Sequence, residues 1–348
     1  MITFHIMMGI PNSGKSTFAQ NTLSKLKNAQ IITIDELYYE TYGYSVDSIP
    51  KEIQNSFFKK VYNTLSTSVK KALQSNEDLN LIYDASNLSR RRRRQLYLEM
   101  KSLGVERVII HWLPILPEKA LSRNLLRNQN QIIQESDLLR KFAHLQIPRK
   151  NVDCDDFEIH TTPLDTTFID RVKELKNSAP HFYMWEMDWL KDSSTKRFLM
   201  QNVVSHDSPY HLESVDMHID MVNEEAYKID SNNLTLRFAA FFHDLGKGQV
   251  KGKDYLDNTL GQFKSHDNVG AQFSMIALHQ AGILSDPQLT NVPELIGKHM
   301  LAHNLGPNLS KKVINRDNLS QDFLDNLKLL NLADDRGRVL LGKVSTSK

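Results

Sequence analysis

Gly9-Ile-Pro-Asn-Ser-Gly-Lys-Ser-Thr17 has the spacing G-x-x-x-x-G-K-S. Glycines so spaced permit backbone conformations closed to other residues, so successive N–H groups can turn inward around phosphate oxygens. Gly9, Asn12, Ser13, Gly14, Lys15, Ser16 and Thr17 are thus the expected cradle for ATP, with Lys15 on the β- and γ-phosphates and the Ser16 hydroxyl on Mg²⁺. An apolar run, Ile2 to Met8, leads into the loop, and a helical stretch leaves it. That is the strand-loop-helix setting the motif requires.

Two acids extend the set. Asp35 ends the alternation from Ala29 to Ile34, and Asp84 follows the apolar run Leu79 to Tyr83. A carboxylate at the C-terminal end of a strand in an α/β sheet lies on the ligand edge. Asp35 is placed either to take a proton from an attacking hydroxyl or to cap the helix from Glu36. Asp84 stands where a Walker-B acid binds Mg²⁺. Arg123 and Arg127, four apart, share one face of an expected helix and read as a lid that neutralises charge on the transferring phosphoryl group, or as ordinary surface arginines. Arg90 to Arg94 form a basic run that is either an acceptor-binding face or a solvated helix face.

The second half changes chemistry. Nine of the thirteen histidines follow residue 180, and His243-Asp244 closes an apolar run that starts at Leu234. Burying that pair unpartnered is expensive, so a metal is the economical expectation.

The elements that must position these groups follow from the pattern. Strands at residues 2–8, 29–34, 79–83 and 108–113 alternate with helices, which argues for a doubly wound parallel sheet. Phe57, Val61, Leu65 and Val69 mark a long amphipathic helix over 50–75 with a buried face. A last strand or edge is expected within 153–160. At 348 residues two domains are expected: an α/β P-loop domain over 1–160, connecting helices over 161–205 with Trp185 and Trp189 as packing residues, and an all-α domain over 206–348. No run of about 18 apolar residues occurs, and the lone Cys154 excludes an internal disulfide, so no signal peptide, no membrane span and a cytoplasmic location are expected. Residues 1–160 hold 22 Lys and Arg against 17 Asp and Glu, whereas 161–348 hold 21 against 24. The basic lobe suits a polyanionic acceptor.

Residues 1–160 resemble polynucleotide 5′-kinases of the phage type through the phosphate loop, Asp35 after a strand, Asp84-Ala-Ser-Asn-Leu88 before Arg92 and Arg93, and Arg123-Asn-Leu-Leu-Arg127. The resemblance implies that Asp35 is the general base, Lys15 and Arg127 stabilise the transition state, Arg123 helps hold ATP, and Asn87 with Arg92 or Arg93 lines the acceptor side. It departs at Tyr38, where these kinases commonly carry an acceptor-anchoring arginine.

Residues 205–340 resemble the HD superfamily of metal-dependent phosphohydrolases, and most closely the HD domain attached to bacterial tRNA CCA-adding enzymes. The matching blocks are Val215-Asp-Met-His218, His243-Asp-Leu-Gly-Lys247, Ser265-His266 before Gly270-Ala271, His299, and Leu332-Ala-Asp334 before Arg336-Gly-Arg338. The resemblance implies His218, His243, Asp244 and Asp334 as ligands of one ion, with His266 and His299 at the places used for a second. Mixed imidazole and carboxylate ligation suits Mn, Fe, Co, Ni or Zn. Lys247 would ground the departing phosphate.

Together the halves imply a bifunctional RNA end-healing enzyme acting on RNA ends, with tRNA the expected source and a separate RNA ligase as a candidate partner. Two other readings fit the motifs: a nucleoside or small-molecule kinase fused to an HD nucleotide phosphohydrolase, and an ATP-gated RNA-binding module without catalysis.

Overall fold

Five short runs build one sheet. The computed structural model describes residues 1–43, 50–129, 132–177, 190–207, 211–259, 261–301, 314, 317 and 319–339; Trp185, Trp189 and His303 lie outside them. The strands are β1 (Ile2–Met8), β2 (Ala29–Thr33), β3 (Leu79–Asp84), β4 (Arg107–Trp112) and β5 (Asp156–Ile159). Every ladder is parallel, in the order β2-β3-β1-β4-β5. All seven residues of β1 are buried, so both faces of the sheet are covered there, and five of the seven are apolar, with Thr3 and His5 the buried polar exceptions.

Chain direction decides where ligands go. From β1 the chain moves to one side for β2 and β3, then to the other for β4 and β5. The crevice at such a reversal lies beyond the strands' C-terminal ends, where β1 empties into Gly9. Helices α1 (Lys15–Asn21), α2 (Ile34–Tyr42), α3 (Lys51–Ser75), α4 (Arg90–Ser102), α5 (Pro117–Asn124) and α6 (Glu135–His144) complete the run. The expected face of α3 is core: Phe57, Val61, Leu65 and Val69 are all buried.

Packing divides the chain into Met1–Lys141 with Pro148–Thr161, and Phe142–Ile147 with Thr162–Lys348. The second unit consists of α7 (Thr166–Glu174), α8 (Ser193–Met200), α9 (Val215–Ile229), α10 (Leu234–Phe242), α11 (Lys247–Val250), α12 (His266–Gln280), α13 (Val292–Ile296) and α14 (Gln321–Arg336). The described helices of the stretch expected as connecting, α7 and α8, therefore belong to it. Phe168 of α7 and Phe198 of α8 both pack on Phe273 of α12, the latter with stacked rings 4.2 Å apart. Asp165 and Asp192 cap the two helices through their carboxylates. Among the described residues no helix is long and apolar enough to cross a membrane.

One expectation is corrected by burial. Arg93 does not line an acceptor surface. It is fully buried, its Nε and Nη2 donate to Asp153 Oδ2 at 2.8 and 2.7 Å, and its Nη1 donates to the carbonyls of Asn87 and Leu88. Arg93, Leu96 and Met100 share the inward face of α4, so the run Arg90 to Arg94 places one guanidinium in the core. Removing one partner of such a pair strands the other charge. Arg93→Met is expected to cost about 3–5 kcal/mol in urea unfolding, whereas Arg92→Ala, which loses a contact with the Phe58 ring at 3.5 Å, should cost about 1 kcal/mol or less. Equal effects would overturn the assignment.

Candidate functional site

The phosphate loop begins where β1 stops. Gly9 and Gly14 sit at φ +151° and +97°, and a Cβ on Gly9 would lie 2.7 Å from the Leu113 carbonyl. Lys15 Nζ donates to the Ile10 carbonyl at 2.8 Å and lies 3.5 Å from Ser13 Oγ. Burial lowers its pKa to about 8 against the opposing pull of Asp84 and Asp35. Ser16 and Thr17 are exposed in the first turn of α1.

Asp84 is the last residue of β3, and Asp35 lies in the first turn of α2, one residue past the expected strand end. Burial, reinforced by neighbouring Asp84, raises the Asp35 pKa, with Lys15, Arg127 and Lys141 pulling the other way. A carboxylate whose proton affinity is raised beside a lysine is suited to accept a proton.

The two arginines expected to form a lid do not share a helix face, because α5 ends at Asn124 and Arg127 follows in a bend. They nevertheless meet at one residue of the loop: Arg123 Nη1 donates to the Asn12 carbonyl at 3.1 Å, and Arg127 Nη1 to Asn12 Oδ1 at 3.3 Å. On the acceptor side, Asn87 is buried at φ +46°, and its Nδ2 donates to the Met7 carbonyl at 2.7 Å, tying the loop after β3 to β1. Arg92 is exposed, and Tyr38 is buried with its ring against Phe57 and Tyr42.

The second constellation is built from helix ends. His218 lies on α9, His243 at the C-terminal cap of α10 with Asp244 after it, His266 at the start of α12, His299 after α13 and Asp334 on α14. Close backbone approach brings them together: a Cβ on Gly246 would lie 2.2 Å from the His266 carbonyl, and one on Gly270 3.0 Å from that of Phe242. Nδ1 of His218, His243, His266 and His299 faces the carbonyl oxygens of Gly337, Ala240, Phe263 and Ile296 at 2.7–2.9 Å. A carbonyl can only accept, so each Nδ1 carries the proton, and in the neutral ring Nε2 is the lone pair.

All four Nε2 atoms point at one carboxylate. Those of His218 and His243 lie 3.3 and 3.2 Å from Asp244 Oδ2, and those of His266 and His299 lie 3.3 and 3.8 Å from Oδ1. Asp334 Oδ1 is 3.0 Å from His218 Nε2. Two groups with metal-ligand spacing, His218-His243-Asp244 and Asp244-His266-His299, therefore share Asp244.

The donor set fits metal ions. His266 and His299 bring their Nε2 atoms to 3.0 Å, and Nε2 of His218 and His243 and Oδ1 of Asp244 are buried without a hydrogen bond among the described residues. Facing lone pairs need a cation between them. The same demand shows in the titration: burial opposes protonation of His218, yet Asp244, Asp334 and Glu213 outweigh it and raise the pKa to about 10.

Sequence reasoning missed three neighbours. Glu213 Oε1 lies 2.7 Å from His211 Nδ1 and 3.3 Å from His218 Nδ1, so the carboxylate orients a ligand imidazole from behind. His206 Nε2 lies 3.2 Å from Lys247 Nζ, which itself sits 2.6 Å from Asp244 Oδ2. The available signal was His211-x-Glu213 immediately ahead of the first ligand block. The centre opens into a cavity of about 610 Å³ whose lining sets Lys247, Lys264 and Arg338 beside Asp244, Asp267 and Asp334, a volume suited to a small ligand with cations available to a phosphate.

A family model described as an AAA domain matches residues 4–146. No curated protein matches the chain. Among solved structures, a chain of the Pnkp1/Rnl/Hen1 RNA repair complex is 21% identical with a TM-score of 0.34, covering 41% of this chain and 43% of its own. This chain thus spans less than half the length of that one. Kti12 of Chaetomium thermophilum, in complex with ADP-AlF3, is 21% identical with a TM-score of 0.33, covering 47% of this chain and 92% of its own. The chain carries a P-loop ATP-binding domain of AAA type followed by an all-α unit with His/Asp metal-ligating clusters.

Sharing of Asp244 makes a metal-content prediction. Relative to the unmodified chain, Asp244→Asn should lose two equivalents of transition metal by elemental analysis and His299→Ala one. Loss of a single equivalent in Asp244→Asn would show that the carboxylate does not serve both groups.

Proposed function

We propose that the chain is a bifunctional RNA end-healing enzyme: the P-loop unit phosphorylates 5′-hydroxyl ends with ATP, and the all-α unit removes 2′,3′-cyclic phosphate and 3′-phosphate ends. What carries the reading is one pairing. A carboxylate of raised proton affinity beside a phosphate loop shares a chain with a carboxylate facing four imidazoles at a cavity that also presents Lys247, Lys264 and Arg338. Cleaved RNA presents 5′-hydroxyl and 2′,3′-cyclic phosphate termini, and a ligase needs both repaired, so a separate RNA ligase would use the product. The basic P-loop lobe suits such a polyanion.

In the kinase step Asp35 takes the proton of the 5′-hydroxyl as its oxygen bonds to the γ-phosphorus and the bridge to the β-phosphate breaks, releasing ADP. Lys15 and Arg127 neutralise charge on the transferring group, Arg123 holds the nucleotide, and Ser16 and Asp84 would ligate Mg²⁺. In the phosphatase step, ions held by His218, His243, Asp244, Asp334, His266 and His299 would lower the pKa of water and polarise a phosphoryl oxygen. Lys247 and Arg338 steady the phosphate, and Glu213 keeps His218 in its ligand tautomer.

A second reading has one observation in its favour. Tyr38 is buried among Tyr42 and Phe57 and offers no cation to an acceptor phosphate, as a kinase for nucleosides or small molecules would allow.

With labelled ATP and a 5′-hydroxyl oligonucleotide, Asp35→Asn should lower transfer by about 10²–10⁴-fold while leaving release from 2′,3′-cyclic ends intact, and His243→Ala should do the reverse. Preference for a nucleoside over the oligonucleotide would select the second reading. Because the base works deprotonated and its pKa is raised, transfer should fall with acidification above the ordinary carboxylate range, which a pH-rate profile measures.

A further inference from the structure

The P-loop unit holds a second histidine constellation away from the phosphate loop. On one face of the sheet the register sets His111 of β4 directly opposite Glu158 of β5, and His160 follows two residues later on the same side. The alternation that places Met7 beside His111 puts His5 on this face too. Three donor atoms converge: His111 Nδ1 to Glu158 Oε2 is 3.2 Å, His111 Nδ1 to His160 Nε2 is 3.3 Å, and His160 Nε2 to Glu158 Oε2 is 3.5 Å. A tetrahedral ion with bonds of about 2.0–2.2 Å separates its donors by about 3.3–3.6 Å. The triangle already has that size.

The hydrogen bonds behind it fix which nitrogen of His111 carries the lone pair. Asn80 donates through Nδ2 to the Lys27 carbonyl at 2.7 Å, so its Oδ1 faces His5 Nε2 at 3.1 Å and His5 donates there. His5 and His111 are both buried, which disfavours imidazolium. His5 Nδ1 is then an acceptor, and His111 Nε2, 2.9 Å away, is the donor. That leaves a lone pair on His111 Nδ1 aimed at a carboxylate oxygen. The relay from Asn80 through His5 is the kind of outer-shell support that orients a ligand histidine.

The geometry points to a divalent transition-metal site, of zinc type, formed by His111, Glu158 and His160 with a fourth position open to water. It is separate from the Asp244 centre, and its role is to staple the edge strand. β5 is only four residues long. Phe18 of α1, three residues after Lys15, packs at a tilt against the His160 and His111 rings, with centroids 4.2 and 5.8 Å away. An ion there joins β4 and β5 beneath the helix that carries the phosphate-loop lysine.

The test uses the full chain carrying Asp244→Asn, stripped with a chelator and titrated with Co²⁺ and then Zn²⁺. One equivalent of Co²⁺ should bind with the intense visible bands of tetrahedral coordination, and Zn²⁺ should displace it. Glu158→Ala and His160→Ala, which remove partly exposed side chains, should each weaken binding at least tenfold. In the otherwise unmodified chain, Zn²⁺ should slow hydrogen exchange over residues 156–160. No Co²⁺ binding, binding indifferent to both substitutions, or unchanged exchange would each overturn the site and leave a proton as the only bridge between these groups.

Discussion

A carboxylate taken out of water has to be compensated where it sits. Asp244 meets the ammonium of Lys247 on one side and the Nε2 lone pairs of His218, His243, His266 and His299 on four others, so a cation held between them completes its compensation. The architecture of the all-α unit follows from that requirement. Five helix ends have to converge, and glycines at 246 and 270 let backbones approach to distances a side chain would forbid. The loop after Asp244 is then held from a third direction: Asn202 donates to the Leu245 carbonyl at 3.0 Å and accepts from the Gly248 N–H at 2.9 Å. Each of the four imidazoles is locked by a carbonyl on its far nitrogen, so the helices fix the tautomer of the ring as well as its position.

The P-loop unit solves a similar problem with a sheet. Lys15, Asp35 and Asp84 come from segments far apart in sequence and influence one another electrostatically because β1, β2 and β3 deliver them to one edge. Arg123 and Arg127 are anchored by short-range chemistry, since both reach the same residue, Asn12, one at its carbonyl and the other at its side-chain oxygen.

The phosphate loop, the acids at the strand ends, the helix over 50–75 and the histidine order were legible because each depends on local spacing or on strand polarity. Arg93 was not. Its partner, Asp153, is sixty residues away, and a run of five arginines hides which one turns inward; the pattern Arg93, Leu96, Met100 was the only clue. Glu213 and His211 escaped for a related reason, since a residue that orients a ligand has no spacing rule of its own. The helices α7 and α8 are nine and eight residues long, so the apolar face of each alone carries little signal. Phe168, Phe198 and Phe273 pay for their order jointly, and that becomes visible only when α7, α8 and α12 are assembled.

Two aspartates show how one side chain is given opposite characters. Burial acts on both in the same direction, favouring the proton. At Asp35 the neighbouring carboxylate of Asp84 adds to that push, so the group keeps an affinity for protons and suits the part of base. At Asp244, His243 and Lys247 overwhelm burial and hold the carboxyl well below the usual range, so it stays an anion. A base must be able to take a proton and a metal ligand must refuse one. The difference is written in the neighbours, and those neighbours are set by which strand ends and helix ends meet.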